Sequence, residues 1–139
     1  MKSKCKRLLC ALIQLTWGLP QTMIGFVLFL LCRLRGCRAH AVRSAVGIGW
    51  HRTDGISLGL FFFCPASDFE RSAPSILPHE YGHTIQSLIL GPLYPLLVLI
   101  PSLIWCGLPA FRRYRDRTGT PYAALFCEQW ADYVSQKRF

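Results

Sequence analysis

The longest stretch without a charged side chain runs from residue 8 to residue 32, with the sequence LLCALIQLTWGLPQTMIGFVLFLLC. A helix of about 20 apolar residues crosses the hydrocarbon core of a bilayer. This run is therefore long enough to span a membrane, and it is too long for the apolar region of a cleaved signal peptide. Pro20 and Gln21 near its middle permit either a kinked span or a hairpin of two short helices. We predict that residues 8–32 anchor the chain in a membrane; the alternative is a buried core helix.

Positive charge surrounds the apolar runs of the chain. Sixteen lysines and arginines against seven acidic residues give a net charge of +9, although 52% of the residues are hydrophobic. Twelve of the basic residues fall in three clusters, which are Lys2, Lys4, Lys6 and Arg7; Arg33, Arg35, Arg38 and Arg43; and Arg112, Arg113, Arg115 and Arg117. Such clusters beside apolar segments are typical of contact with anionic lipid headgroups. Nucleic-acid binding is the rival interpretation, but it lacks a recognisable motif and aromatic platforms. We expect an anionic bilayer as a partner and no nucleic acid.

The seven cysteines follow no regular spacing, and no C-x-x-C pair is present. This pattern argues against a secreted disulfide scaffold and favours a reducing compartment. A chain of 139 residues has room for one domain, which we take to be residues 1–139.

The sequence H-E-Y-G-H at residues 79–83 lies within a run, residues 75–90, that we predict to be helical. In a helix His79 and His83 are one turn apart on one face, close enough to bind a single Zn²⁺. Glu80 can then take a proton from a water at the metal as general base. Two histidines also occur at this spacing by chance, so a third ligand is needed to define a site.

The predicted helix has recognisable start and stop signals. Ser75 can cap it, and Pro78 falls in the first turn, where its missing N–H is harmless. Gly91 and Pro92 end it. Gly82 lies between the histidines, and a residue without a side chain there allows another backbone or a substrate to come close.

A β-hairpin is predicted within residues 44–64. Residues 45–50 and 56–64 are short apolar runs rich in branched and aromatic side chains, and Arg52 to Gly55 lies between them as a turn. An edge strand beside the metal-binding helix is where a protease can bind an extended peptide.

Residues 93–108 form a second apolar segment, which Pro95 and Pro101 interrupt. Because the segment is marginal as a span, a kinked transmembrane helix, a re-entrant segment and a buried hairpin all remain open.

A last helix is predicted over residues 120–138, because Thr120 and Pro121 are typical of a helix cap and a first helical residue. Glu128 and Asp132 lie four residues apart on this helix and share a face. An isolated acidic pair is usually solvated. Here the pair lies among aromatic residues in a chain with only seven acids, so we favour a functional role.

The two motifs together, His79-Glu80-x-x-His83 and Glu128-x-x-x-Asp132, resemble the gluzincin group of zinc metallopeptidases. The resemblance implies that both histidines and Glu128 bind Zn²⁺, that Glu80 is the general base, and that Asp132 orients His79. An imidazole that binds a metal is usually held through its other N–H by a carboxylate, which agrees with this assignment.

The longer runs HEYGHTIQSLILGPLYPLLVLIPSLIW and FCEQWAD are also similar to small uncharacterised bacterial membrane-associated proteins and to the C-terminal segments of Rhs-type toxin-like proteins. This resemblance covers roughly the second half of the chain and implies a bacterial inner membrane as the location. Peptide hydrolysis also benefits from a group that stabilises the oxyanion. Tyr114, Tyr122 and His51 are the candidates for it.

We therefore predict a mainly α fold with a small β-hairpin, in which a minimal zincin-like helix pair is associated with a membrane. The predicted function is a zinc-dependent metallopeptidase that hydrolyses a peptide or protein substrate with a metal-activated water. The alternative is a non-catalytic membrane protein or toxin-associated module with a structural zinc site. The presence of Glu80 favours the enzyme, because a structural site needs no base.

Overall fold

A computed structural model describes residues 2–70 and 75–138 of the chain. These residues form six α-helices and four β-strands, so the fold is mainly helical with a small sheet. The helices are α1 (Lys2–Thr16), α2 (Leu19–Leu34), α3 (Leu77–Leu90), α4 (Ile100–Gly107), α5 (Pro109–Thr118) and α6 (Phe126–Arg138). The strands are β1 (Arg38–Val42), β2 (Ala45–Trp50), β3 (Ile56–Leu58) and β4 (Phe61–Pro65).

The first apolar run forms two helices that meet at a sharp bend. Thr16 ends α1, Leu19 begins α2, and the two helices are bent by 99°. Pro20 lies in the first turn of α2, where its missing N–H leaves no helical hydrogen bond unmade. The interruption expected near Pro20 is therefore present, and the proline follows the bend because it is a favourable residue with which to begin a helix.

No single helix in the described residues is long and apolar enough to cross a membrane. Two bent pairs reach that length and composition only when their helices are taken together. They are Lys4–Thr16 with Leu19–Leu34, and Leu77–Leu93 with Pro95–Gly107, the second pair bent by 119°. Membrane anchoring by residues 8–32 stays a prediction.

The four strands form one mixed sheet in the order β1-β2-β4-β3. β1 and β2 are antiparallel, β2 and β4 are parallel, and β3 and β4 are antiparallel. β4 is buried on both faces. Phe61 and Phe63 pack with Cys32 of α2 on one face, and Phe62 and Cys64 pack beside α3 on the other. The sheet is therefore the middle layer between α2 and α3, which explains the continuous apolar sequence of β4.

The pairing of the hairpin predicted within residues 44–64 is wrong. Both predicted strand regions contain strands, but β2 pairs with β4 in parallel, and its antiparallel neighbour is β1. Gly59, with a φ of 66°, divides the second run and allows the tight turn that pairs β3 with β4. The residues from Arg52 to Gly55 therefore connect β2 to β3 without forming a hairpin turn.

The helix predicted over residues 75–90 is present, beginning two residues later at Leu77. The hydroxyl oxygen of Ser75 accepts the N–H of Leu77 at 3.1 Å, so Ser75 does satisfy an N-terminal donor. The helix ends at Leu90, because Gly91 has a φ of 54°, which favours glycine.

The two segments predicted after α3 differ more from the structure in where their helices begin. Residues 93–108 contain a π-helical turn, Pro95–Leu99, that leads into α4. α6 begins at Phe126 and not at residue 120, because Leu125 has an extended backbone with a ψ of 136°. The cap signal at residue 120 instead precedes a short 3₁₀ turn, Tyr122–Ala124.

α3 and α6 pack at very close range, and this packing brings the two predicted motifs together. A Cβ atom at Gly82 would overlap the carbonyl oxygen of Ala131 in α6. The prediction that Gly82 allows another backbone to approach is therefore confirmed. Glu128 and Asp132, which flank Ala131 in the sequence of α6, consequently lie within reach of the histidines of α3.

Candidate metal centre

Three side-chain atoms from α3 and α6 converge on one point. The Nε2 atom of His79 lies 2.9 Å from Oε2 of Glu128 and 3.1 Å from Nε2 of His83. The same Glu128 oxygen lies 3.4 Å from Nε2 of His83. Ligand atoms bound tetrahedrally to one zinc ion are about 3.3 Å apart, given the usual zinc–ligand distances. These three residues could therefore hold a metal ion, as the spacing of their ligand atoms indicates.

The hydrogen bonds on the far side of each ring leave the converging nitrogens free to bind a cation. Nδ1 of His79 lies 2.7 Å from the carboxylate oxygen of Asp132, and Nδ1 of His83 lies 2.6 Å from the amide oxygen of Gln86. Both oxygens can only accept, so each Nδ1 donates its proton. When a metal ion takes the place of the proton between His79 and Glu128, each Nε2 offers a lone pair. This is the arrangement in which histidines bind metals.

The amide of Gln86 is itself held in one orientation. Its Nε2 atom donates to the carbonyl oxygen of Cys127 at 2.8 Å, so its Oε1 atom must be the one that faces His83. Gln86 is fully buried, and its two hydrogen bonds connect the ring of His83 to the first turn of α6.

The charges at the centre are arranged for a cation. Burial opposes ionisation of both His79 and Glu128, but their hydrogen bonds to one another and to neighbouring residues outweigh it. The pKa of His79 is raised to about 9, and the pKa of Glu128 is held well below its usual range. The Glu128 side chain is fully buried. A buried carboxylate needs a positive partner, which a proton on His79 or a metal ion can supply.

Glu80 is buried next to the three converging residues. Burial raises the pKa of its carboxyl group, and the charges of His83 and His79 work against that rise. The hydroxyl oxygen of Ser57 in β3 lies 2.8 Å from Oε2 of Glu80 and 2.7 Å from its backbone carbonyl oxygen. A Cβ atom at Gly55 would overlap Oε1 of the same carboxylate. β3 and the residue before it therefore set the position of Glu80.

A small cleft of about 30 Å³, with room for about one water molecule, opens beside Glu80 and His83. Its walls come from the edge strand β3 and from the π-helical turn and α4. They combine polar groups near the histidine with apolar side chains; the main contributors are Ile56, Ser57, Val98, Leu99, Leu103 and Tyr122. The cleft therefore has space for a water molecule beside the buried acid, and a larger ligand would approach it from outside.

The structure brings one of the three predicted oxyanion-stabilising candidates to this cleft. Tyr122 lines the cleft together with Glu80 and His83, and its hydroxyl oxygen lies 3.4 Å from that of Ser102. Tyr114 lies on α5 and His51 follows β2, and neither residue lines this cleft.

Two residues that hold the site were missed in the sequence. Gln86 lies three residues after His83, so its position on the same helix face was a usable signal. Ser57 gave no such signal, because it lies 23 residues before Glu80 and meets it only through the packing of β3 on α3.

Comparison of the chain with protein-family models, with curated proteins and with solved structures gives no match. The class of the site therefore rests on its geometry, which is that of two histidines and one carboxylate converging on a cation position. Its donor set of two nitrogens and one oxygen suits several divalent transition metals.

Proposed function

We propose that this protein is a membrane-associated, zinc-dependent metallopeptidase. The observation that carries the proposal is the convergence of the ligand atoms of His79, His83 and Glu128, with the carboxylate of Glu80 in the adjoining cleft. Two imidazoles and a carboxylate are the donor set of several catalytic zinc sites, which retain a fourth position for water or substrate. Zinc is the proposed ion because it commonly binds such sets in tetrahedral geometry.

The chemistry divides between the ion and the chain. A bound zinc ion supplies a Lewis acid that polarises a carbonyl group and makes water more acidic. Glu80 accepts the proton that water loses when it attacks the peptide carbonyl, and it then returns a proton to the leaving amine. Ser57 donates a hydrogen bond that holds the Glu80 carboxylate, and Tyr122 can donate its hydroxyl proton to the developing oxyanion.

An extended peptide is the substrate class that the edge strand beside the cleft suits. β3 is an edge strand of the sheet, and an edge strand can pair with an added peptide strand. The hydroxyl group of Tyr94 already donates to the carbonyl oxygen of Ser57 at 2.9 Å, and Ile56 pairs with Phe63 of β4, so an added peptide would pair with the backbone at Gly55. The apolar wall formed by Leu99 and Leu103 would then face a side chain of the substrate.

The test of the proposal is the substitution Glu80→Gln. The amide is close in size to the carboxylate, so zinc content and fold should be unchanged, while hydrolysis should fall by about 10²- to 10⁴-fold because the general base is lost. Asp116→Asn, on α5 and outside the cleft, is the matched control and should keep the wild-type rate. Cleavage of peptides and membrane proteins is measured with and without a chelator, and zinc is measured in every sample.

Two results would overturn the proposal. If Glu80→Gln cleaves at the wild-type rate, the general-base mechanism is wrong. If the wild type retains zinc but cleaves no substrate, with or without added zinc, the ion only joins α3 to α6, and the protein is a non-catalytic module.

A further inference from the structure

Both bent helix pairs expose large apolar side chains on their outer surfaces. Six of these residues define what we call the apolar face, and between 41% and 63% of each remains exposed; they are Leu12, Ile24, Val27, Leu96, Ile100 and Ile104. Soluble monomers rarely expose so many large apolar residues on adjoining elements. The apolar face therefore needs a partner.

The two bends that carry this face are packed against each other. A Cβ atom at Gly91, at the end of α3, would overlap the indole ring of Trp17 at the first bend. The amide nitrogen of Gln21 donates to the carbonyl oxygen of Gly91 and to the hydroxyl oxygen of Ser87, each at 2.9 Å. The amide nitrogen of Gln14 donates to the carbonyl oxygen of Thr84 at 3.0 Å.

These hydrogen bonds bear on whether the two bends can lie inside a bilayer, where no water is present to pair with polar groups. Gln14 and Gln21 are almost completely buried, although both lie in the uncharged run. Backbone breaks within a bilayer are tolerated only where the freed polar groups find partners inside the protein. At the first bend the N–H of Gly18 donates to the carbonyl oxygen of Ile13, and the hydroxyl group of Thr22 donates to that of Gln14, although Oε1 of Gln21 is buried without a partner.

Charge is confined to the outer ends of the helix pairs. The first 53 residues contain nine lysines and arginines and no acidic residue. One basic group precedes Leu8, and a second begins at Arg33 near the end of α2. A third group follows α4, at Arg112 and Arg113. Each pair therefore runs from a polar or basic end through an uncharged bend to a basic end.

We propose that the protein docks into one leaflet of an anionic bilayer as two re-entrant helix pairs, with the joined bends deepest and the basic ends among the headgroups. α2 has 16 residues, about 24 Å, which is less than the hydrocarbon thickness of about 30 Å. Insertion from one side therefore fits the helix lengths better than crossing.

Lipid is favoured over a second copy of the chain on electrostatic grounds. Two copies docked through the apolar face would bring the same basic clusters together, and each copy carries a net charge of +9. An anionic bilayer suits both the apolar face and the basic clusters, because its interior accepts the apolar side chains and its surface attracts the lysines and arginines.

The candidate metal centre would then face the lipid surface. Leu103 lines the cleft and is 50% exposed, and its neighbour Ile104 belongs to the apolar face. His83 lies seven residues before Leu90, about 10 Å along the helix from the bend. Resting on the proposed function, this placement makes the substrate class a peptide segment that enters or leaves the bilayer.

Vesicle flotation tests the docking without any substrate. The wild type should float with vesicles of phosphatidylglycerol and phosphatidylcholine and bind at least about 10-fold less to pure phosphatidylcholine, since the lysines and arginines are attracted to an anionic surface. The double substitution Ile24→Glu with Val27→Glu should abolish flotation. Tyr133→Glu, an exposed aromatic position on α6, is the matched control and should float like the wild type. Far-ultraviolet circular dichroism reports, independently of zinc, whether each variant is folded.

The depth of Trp17 tests the re-entrant arrangement. Brominated lipids labelled deep in the acyl chain should quench wild-type fluorescence more than lipids labelled near the headgroup, and Trp17→Phe should remove that difference. Trypsin added outside sealed vesicles should cut at both Arg7 and Arg35, whereas a spanning pair would protect one of them.

Three results would overturn the inference. They are failure of the wild type to bind anionic vesicles while forming dimers in solution, equal loss of flotation in Tyr133→Glu, and protection of one basic cluster from trypsin. A protein that binds vesicles as described but cleaves nothing would retain the docking and lose only the proposed function.

Discussion

At the scale of the residue, the candidate centre depends on atoms that never face the cation. Asp132 and Gln86 each accept a hydrogen bond from Nδ1 of a histidine, and this turns the two Nε2 atoms toward the position that a cation could occupy. The partners differ in exposure: the Asp132 side chain is 42% exposed, whereas Gln86 is fully buried. Removing a residue that supplies one of the three converging atoms should reduce the zinc affinity more than removing a residue that only orients a ring.

We expect Glu128→Ala to abolish zinc retention and Asp132→Ala to weaken zinc affinity by about 10- to 100-fold, the usual effect of removing a partner of a metal-binding histidine. The reason is that Glu128 supplies one of the three converging atoms, while Asp132 only orients His79. Zinc affinity is measured by competition with a chromogenic chelator. A larger loss from Asp132→Ala than from Glu128→Ala would reverse these roles.

Gly55 gives a second prediction at this scale. A Cβ atom there would overlap Oε1 of Glu80, so Gly55→Ala should displace the carboxylate without removing any ligand. Because a displacement of about 1 Å can cost about 10²-fold in rate, hydrolysis should fall by that order while zinc content stays unchanged. Steady-state cleavage and zinc analysis of the same sample decide the matter, and an unchanged rate would show that the position of Glu80 does not depend on Gly55.

At the scale of the element, the crossing of α3 and α6 is the decisive contact. The two helices bring together residues 41 or more positions apart, and Gly82 allows the approach because it has no side chain. The neighbouring layer, β3, contributes Ser57 to the same site. A change in this crossing should alter stability and metal binding together.

We expect Gly82→Ala to destabilise the protein by about 1–3 kcal/mol, because the added methyl group meets backbone atoms that cannot rotate away. This cost exceeds the gain in helix propensity of about 1 kcal/mol from replacing glycine with alanine. Zinc affinity should fall in the same variant. The control is Gly107→Ala in α4, where a Cβ atom meets no other atom within 4 Å, and it should melt at or slightly above the wild-type temperature. Equal melting temperatures for the two variants would contradict this role of Gly82.

At the scale of the whole molecule, a bound ion would join α3 and α6 in addition to their packing and hydrogen bonds. Glu128 is the fully buried carboxylate at this junction, and its positive partner decides how favourable the folded state is. A ligand that binds only the folded chain stabilises it by mass action.

We therefore expect zinc to raise the thermal midpoint of the wild type and a chelator to lower it. At a free zinc concentration 100 times the dissociation constant, the gain should be about 2.7 kcal/mol. Glu128→Ala should show no zinc-dependent shift in a calorimetric scan. A shift of the same size in that variant would place the stabilising ion elsewhere.

Local patterns predicted much of the site and less of the fold. The spacing of His79 and His83 and that of Glu128 and Asp132 are helical spacings, so the shared face in each pair was readable from the sequence. The strand pairing was not readable, because the apolar runs of β2 and β4 look the same whether they pair in parallel or antiparallel. Only the positive φ at Gly59 separates β3 from β4.

The sequence by itself determined the features that depend on neighbours within about one helical turn. These are the two histidines on one face of α3, the end of that helix at Gly91, the basic clusters and the uncharged runs between them. The tertiary structure decided which distant elements meet: α6 against Gly82, Ser57 against Glu80, and the two bends against each other. The physical reason is that these contacts depend on shape complementarity between surfaces, and no spacing within one segment records the surface that it will meet.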